Sequence, residues 1–193
     1  MNKRGQFTRQ KSVCKKGFNF TTSSRAQVWV ETVIYTLIGL AVIGILLAFS
    51  KPKIDEMKDK IVIEQTITSL NDISSKIYDV QISPGNKRVL NLKISKGTFY
   101  INSSADEIGW VVESHYKYSE VGKTVNLGNL RVLTTEGGPY VITISMNYST
   151  NLTYIGKENY FDVEGSPTAY VLTVENLGIP VGQSKTNVDL GVS

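Results

Sequence analysis

Thiol and imidazole chemistry is nearly absent from this sequence. Among its 193 residues there is one cysteine, Cys14, and one histidine, His115. Cys14 falls in a basic N-terminal segment. With that segment removed no cysteine remains, which excludes internal disulfides, a cysteine metal site and a thiol nucleophile. His115 lies in Val111-Val112-Glu113-Ser114-His115-Tyr116-Lys117, where alternation puts it on a polar face with Glu113 and Lys117. It reads as a solvated strand residue, and a Glu113/His115 metal pair has no further ligand at a usable spacing. No phosphate loop or dinucleotide fingerprint is present, no turn marks a serine nucleophile, and the acids are too scattered to outline a calcium site. A serine triad stays open, since its members can be distant in sequence. The expectation is a protein that is not an enzyme and holds no cofactor and no metal.

Acidic residues are missing from the first 26 positions, which carry seven Lys and Arg. The formal charge of +4 is therefore a poor guide, because 14 Lys and Arg face 17 Asp and Glu after Ala26. So mildly acidic a body has no strong attraction for nucleic acid, and no nucleic-acid partner is expected. The basic segment fits the positive-inside rule: it stays cytoplasmic while the C-terminal part crosses the membrane.

What the chain does have is an apolar run over residues 28–49 (VWVETVIYTLIGLAVIGILLAF), with Glu31 as its only charge. At about 1.5 Å per residue the run reaches roughly 33 Å as a helix, enough to span a bilayer core. A buried core helix is the bland alternative. A secretory signal cut after Ala48-Phe49-Ser50 is another, although the run exceeds the usual apolar length of about 7–15 residues for such signals. An uncleaved anchor that keeps its leader is a third. Gly39 and Gly44 permit close helix packing, but their spacing makes no GxxxG pair. A carboxylate in a membrane-length helix is costly and calls for a reason. Glu31 either snorkels to the nearby interface or serves a function.

The layout of basic leader, Ala26, Gln27 and apolar run, with Glu31 fifth counting from Gln27, resembles the class III signal peptide of archaeal type IV pilin-like proteins. The resemblance covers residues 25 to about 50. It implies that a membrane aspartic peptidase, the prepilin peptidase, cuts between Ala26 and Gln27. The apolar stretch is then kept, first as an anchor and later as packing core of a filament. It further implies that Glu31 aligns the incoming subunit by meeting a neighbour's new N-terminal amine. Such a pair in low dielectric offsets much of the cost of burying the charge.

Helical periodicity continues beyond the run. Ile54, Met57, Ile61, Ile67, Leu70, Ile73, Ile77 and Val80 recur mostly at three- and four-residue steps, opposite Asp55, Glu56, Asp59, Lys60, Glu64, Asp72 and Lys76. The apolar stripe is expected to pack on a head domain, and Pro52 to kink or loosen the helix. Ser83-Pro84-Gly85-Asn86 reads as the turn that closes this segment. From Lys87 onward alternation takes over, as in Leu90/Leu92/Ile94, Trp110/Val112/Tyr116/Tyr118, Tyr140/Ile142/Ile144/Met146/Tyr148 and Tyr170/Leu172/Val174. Glycine turns separate these runs, and seven to nine strands are expected. Three Asn-x-Ser/Thr sequons follow the apolar run and make Asn102, Asn147 and Asn151 the expected glycosylation sites of an exported domain; a fourth, at Asn19, lies in the leader and should be silent.

Together these features predict an α+β protein, with a long N-terminal transmembrane helix followed by an antiparallel β-sandwich-like head. Its regions would be a cleaved leader (1–26), a transmembrane and extended helix (27–83) and an extracellular β-rich domain (84–193). The expected function is that of a structural subunit of an archaeal type IV pilus-like filament, acting in adhesion or surface interaction. Its implied partners are prepilin peptidase, other pilin-like subunits and the lipid bilayer through residues 28–49. The alternative is a single-pass, non-polymerising β-sandwich ectodomain serving as a binding or accessory module. A surface hydrolase with an unrecognised site is a third.

Overall fold

The computed structural model describes residues 24–193, with side chains from Val28 onward. Cys14, Asn19 and the rest of residues 1–23 lie outside the described residues, as do the side chains of Ala26 and Gln27. The backbone of Ala26 and Gln27 falls within helix α1 (Ser24–Gln81). The chain forms two compact units, the first ending at Ala48 and the second comprising Phe49–Ser193.

In the first unit, nearly every side chain from residue 28 to 48 is exposed. The helix is long and apolar enough to cross a membrane. Its two threonines turn their hydroxyls back onto the helix: Thr32 Oγ1 donates to the Val28 carbonyl at 2.9 Å, and Thr36 Oγ1 to the Val33 carbonyl at 2.8 Å. Hydroxyls satisfied in this way are compatible with an apolar surrounding.

In the second unit α1 runs on to Gln81, with Pro52 inside it, and ten strands follow among the described residues. They are β1 (Lys87–Leu92), β2 (Thr98–Asn102), β3 (Glu107–Ser114), β4 (Thr124–Leu127), β5 (Leu130–Thr135), β6 (Tyr140–Asn147), β7 (Asn151–Tyr154), β8 (Tyr160–Glu164), β9 (Tyr170–Gly178) and β10 (Asn187–Val192). Four strands pair in the order β1-β9-β10-β7 and six in the order β4-β5-β6-β3-β2-β8. All pairings are antiparallel except β10 with β7. The architecture is α+β: a long helix and a mostly antiparallel, sandwich-like head. The strand count exceeds the seven to nine expected, because short strands such as the fully exposed four-residue β4 have no buried alternation to announce them.

One core joins the helix to both sheets. Ile63, Leu70, Ile73, Ile77 and Val80 from α1 are buried with Leu92, Phe99, Ile101, Trp110, Ile142, Ile144, Leu172, Val174, Val188 and Leu190. Phe99 and Trp110 meet edge to face at 5.8 Å, and Trp110 Nε1 donates to the Lys96 carbonyl at 3.0 Å. Two glycines are required by close approach. Gly97 has φ +86, and a Cβ there would stand 2.2 Å from the Val111 carbonyl oxygen. At Gly109 a Cβ would stand 2.4 Å from the Tyr100 ring, which lies across this position from the neighbouring strand.

The helix corrects one expectation. Its buried face is Asp59, Ile63, Thr66, Leu70, Ile73, Ser74, Ile77 and Val80, whereas Ile54, Met57 and Ile61 are exposed. Residues 61 and 63 stand about 200° apart on a helix of 3.6 residues per turn, so the upper stripe read from the sequence belongs to the opposite face. A second expectation also shifts. β3 ends at Ser114, so Tyr116 and Tyr118 follow it as half-buried loop residues packed against the core.

Candidate functional site

Glu31, the expected assembly residue, is exposed in the first unit, within the apolar part of α1. The expected processing pair, Ala26 and Gln27, is located only as helical backbone.

Within the second unit the most organised polar site is built on Asp59, which the sequence reading assigned to a solvated face. Asp59 is only 6 % exposed. Its Oδ1 accepts from Lys96 Nζ at 2.6 Å, and its Oδ2 from the main-chain N–H of His115 at 2.7 Å. His115 Nδ1 lies 3.0 Å from the same Oδ2, placed to donate when it carries the proton. Burial pushes this carboxyl up, but the Lys96 ammonium and the His115 donors outweigh it and hold the carboxyl below its ordinary range. His115 is therefore not a plain strand residue. It lies just past the end of β3 and clasps the helix, although its side chain remains 62 % exposed. Asp59 is also where burial along the helix begins, since no residue from Phe49 to Lys58 is buried.

A second clasp closes the other end of the buried helix segment. Asn176, 1 % exposed, donates from Nδ2 to the Val80 carbonyl at 2.9 Å, and its Oδ1 accepts from the Gly178 N–H at 2.8 Å. It thereby satisfies one of the carbonyls that a helix C-terminus leaves open. Nearby, Tyr148 packs against Tyr78 at 6.4 Å, and burial pushes its phenol up to about 12. Neither Asn176 nor Lys96 carries a local sequence signal for these roles.

The three expected glycosylation sequons gather around one turn, the 3₁₀ segment Ser103–Ala105. Asn102 immediately precedes it and is half-buried, with no side-chain hydrogen bond capping the turn. Asn147 is exposed, but its Nδ2 donates to the Ala105 carbonyl at 3.2 Å and its Oδ1 accepts from Arg131 Nη2. Arg131 also reaches Glu107 Oε2 at 3.0 Å, and Tyr100 donates to Glu107 Oε1 at 2.6 Å. Asn151 donates through Nδ2 to Asn187 Oδ1 at 3.3 Å. Asp106 ties this end together, its Oδ1 accepting from the Leu152 N–H at 2.9 Å and its Oδ2 from Lys185 at 3.2 Å.

The surface grooves carry little chemistry. One of them, about 470 Å³, runs beside α1 from Ile61 to Ser69 and is lined by Trp110, Lys93 and Ser95 on its far side. Glu64 and Lys93 are its only charged lining residues. Among the described residues no three His, Cys, Asp or Glu side chains converge as metal ligands. No protein-family model, curated protein or solved structure matches this chain.

Proposed function

We propose that this chain is a structural subunit of an archaeal type IV pilus-like surface filament, anchored in the membrane before assembly and acting in adhesion or surface interaction. The observation that carries the reading is the character of α1. One helix combines an exposed apolar stretch of membrane length, interrupted only by Glu31, with a C-terminal portion that forms part of a head-domain core. In this reading prepilin peptidase cuts before Gln27, residues 28–49 hold the subunit in the bilayer, and the head is displayed outside the cell. Glu31 meets the amine of a neighbouring subunit, and the work is done by packing without catalysis. Cells expressing Glu31→Ala should insert and process the protein normally but assemble few filaments. Normal filament numbers by electron microscopy would refute the role of Glu31. Intact-mass measurement of membrane-extracted protein tests the rest: a mature chain starting at Gln27 supports it, whereas a retained leader favours a non-polymerising accessory ectodomain.

A further inference from the structure

The face of α1 turned away from the head core has its own pattern. Ile54, Met57 and Ile61 are 48 %, 65 % and 51 % exposed. At 3.6 residues per turn they fall within a sector of about 60°. Lys51 and Lys58 flank this sector on one side, and Lys53 and Lys60 on the other. Asp55 and Glu56 point elsewhere and are half-buried, and the stripe stops where Glu64, Gln65 and Thr68 occupy the next turns. The lysines do make ion pairs, Lys53 with Glu56 at 2.8 Å, Lys60 with Glu64 at 3.8 Å and Lys58 with Asp55 at 3.9 Å. These pairs are exposed, and such pairs are readily exchanged for other anions. Lys60 also rests 5.9 Å over the Tyr116 ring.

We infer that residues 51–61 form a membrane-surface segment, with Ile54, Met57 and Ile61 seated at the headgroup boundary of an anionic lipid layer. Two observations select lipid as the occupant. An apolar sector rimmed on both sides by lysines is the pattern of helices that lie in an interface, their stems covering apolar surface while the ammonium groups reach phosphate. The stripe also begins five residues after Phe49, where the membrane-length run ends. Held upright, the helix would carry Ile61 about 18 Å beyond Phe49, out of the headgroup layer. Seating all three residues therefore requires the helix to bend, and Pro52 supplies the place, since it offers no N–H to the helix ladder. The inference rests on the anchoring part of the proposed function and not on filament assembly.

The test uses the full chain with Cys14→Ser and a single fluorophore on Met57→Cys or Asp72→Cys, reconstituted into phosphatidylcholine vesicles with or without phosphatidylglycerol. Position 72 shares the azimuth of Ile54 but lies about 22 Å further along the helix than position 57. Nitroxide lipids labelled near the headgroup should quench the probe at 57 several-fold more than the probe at 72. The difference should shrink without phosphatidylglycerol and in a Lys51→Gln/Lys53→Gln/Lys58→Gln variant. Equal quenching at the two positions, or quenching indifferent to lipid charge and to the lysines, overturns the proposal. So does a probe at 57 that escapes lipid quenching yet becomes shielded from water as the protein-to-lipid ratio rises, which would assign the stripe to a second copy. Failure of the chain to float with the vesicles at all would instead overturn the anchoring reading, and this inference with it.

Discussion

Replacing Asp59 with alanine should loosen the junction between helix and head. The carboxylate accepts hydrogen bonds at 2.6 and 2.7 Å from Lys96 and the His115 main chain, and a third from His115 Nδ1 when that nitrogen carries the proton. Charge-assisted bonds of this kind contribute about 1.5–3 kcal/mol each when buried. Here the donor side chains are partly solvated, Lys96 at 37 % and His115 at 62 % exposure, so both recover water when Asp59 is lost. We therefore expect a net destabilisation of about 2 kcal/mol near neutral pH, well below the sum over the three bonds. The pH dependence has a definite sign. The folded carboxyl titrates below its ordinary value of 3.8, so its contribution is complete above that value and fades as pH falls through the lowered folded value. The stability gap between wild type and Asp59→Ala should thus narrow below about pH 4. Urea titration in detergent, followed by the fluorescence of buried Trp110 in a Trp29→Phe background, reads both quantities. An Asp59→Ala protein as stable as its parent at pH 7, or a gap that persists unchanged into strong acid, would refute the clasp.

Three further outcomes are expected. Asn176→Ala leaves the Val80 carbonyl and the Gly178 N–H unpaired in the interior and should cost about 2–3 kcal/mol in the same titration, whereas Asn176→Asp should not restore the donor to Val80. Gly109→Ala drives a methyl into the Tyr100 ring and should cost about 1–3 kcal/mol, but little when introduced into a Tyr100→Ala background, giving a clear coupling in a double-mutant cycle. If the folded head is glycosylated on export, site-resolved mass spectrometry should find Asn102 occupied ahead of Asn147 and Asn151, whose amide nitrogens are already donating; preferential occupancy of Asn147 would contradict this order.

Periodicity in the sequence was enough to read the helix, the switch to strands at Lys87 and the sandwich-like head, because each is a local pattern. The helix also shows how such reading goes astray. Two apolar faces follow one another along α1, Ile54/Met57/Ile61 and then Ile63/Leu70/Ile73/Ile77/Val80, and joining them by step length alone merged opposite sides. One signal was available. Asp59 falls in the 59-63-66-70-73-77-80 series, and an acid at a core position implies a partner. The partners themselves were not legible. Lys96 is 37 positions away, and Asn176 is 96 positions from Val80, so only the folded chain brings them together. The parallel pairing of β10 with β7 is likewise invisible locally, as neither strand encodes its neighbour.

The two clasps bear on how the head would carry load. Asp59 and Val80 are 21 residues apart, so the gripped length of α1 is about 32 Å. Tension drawn along the helix axis would meet both fastenings and the packed side chains between them at once, in shear. A rod held at one end would instead peel free turn by turn, each step weakening the next. Held at both, the helix should yield only when the whole stretch slips together.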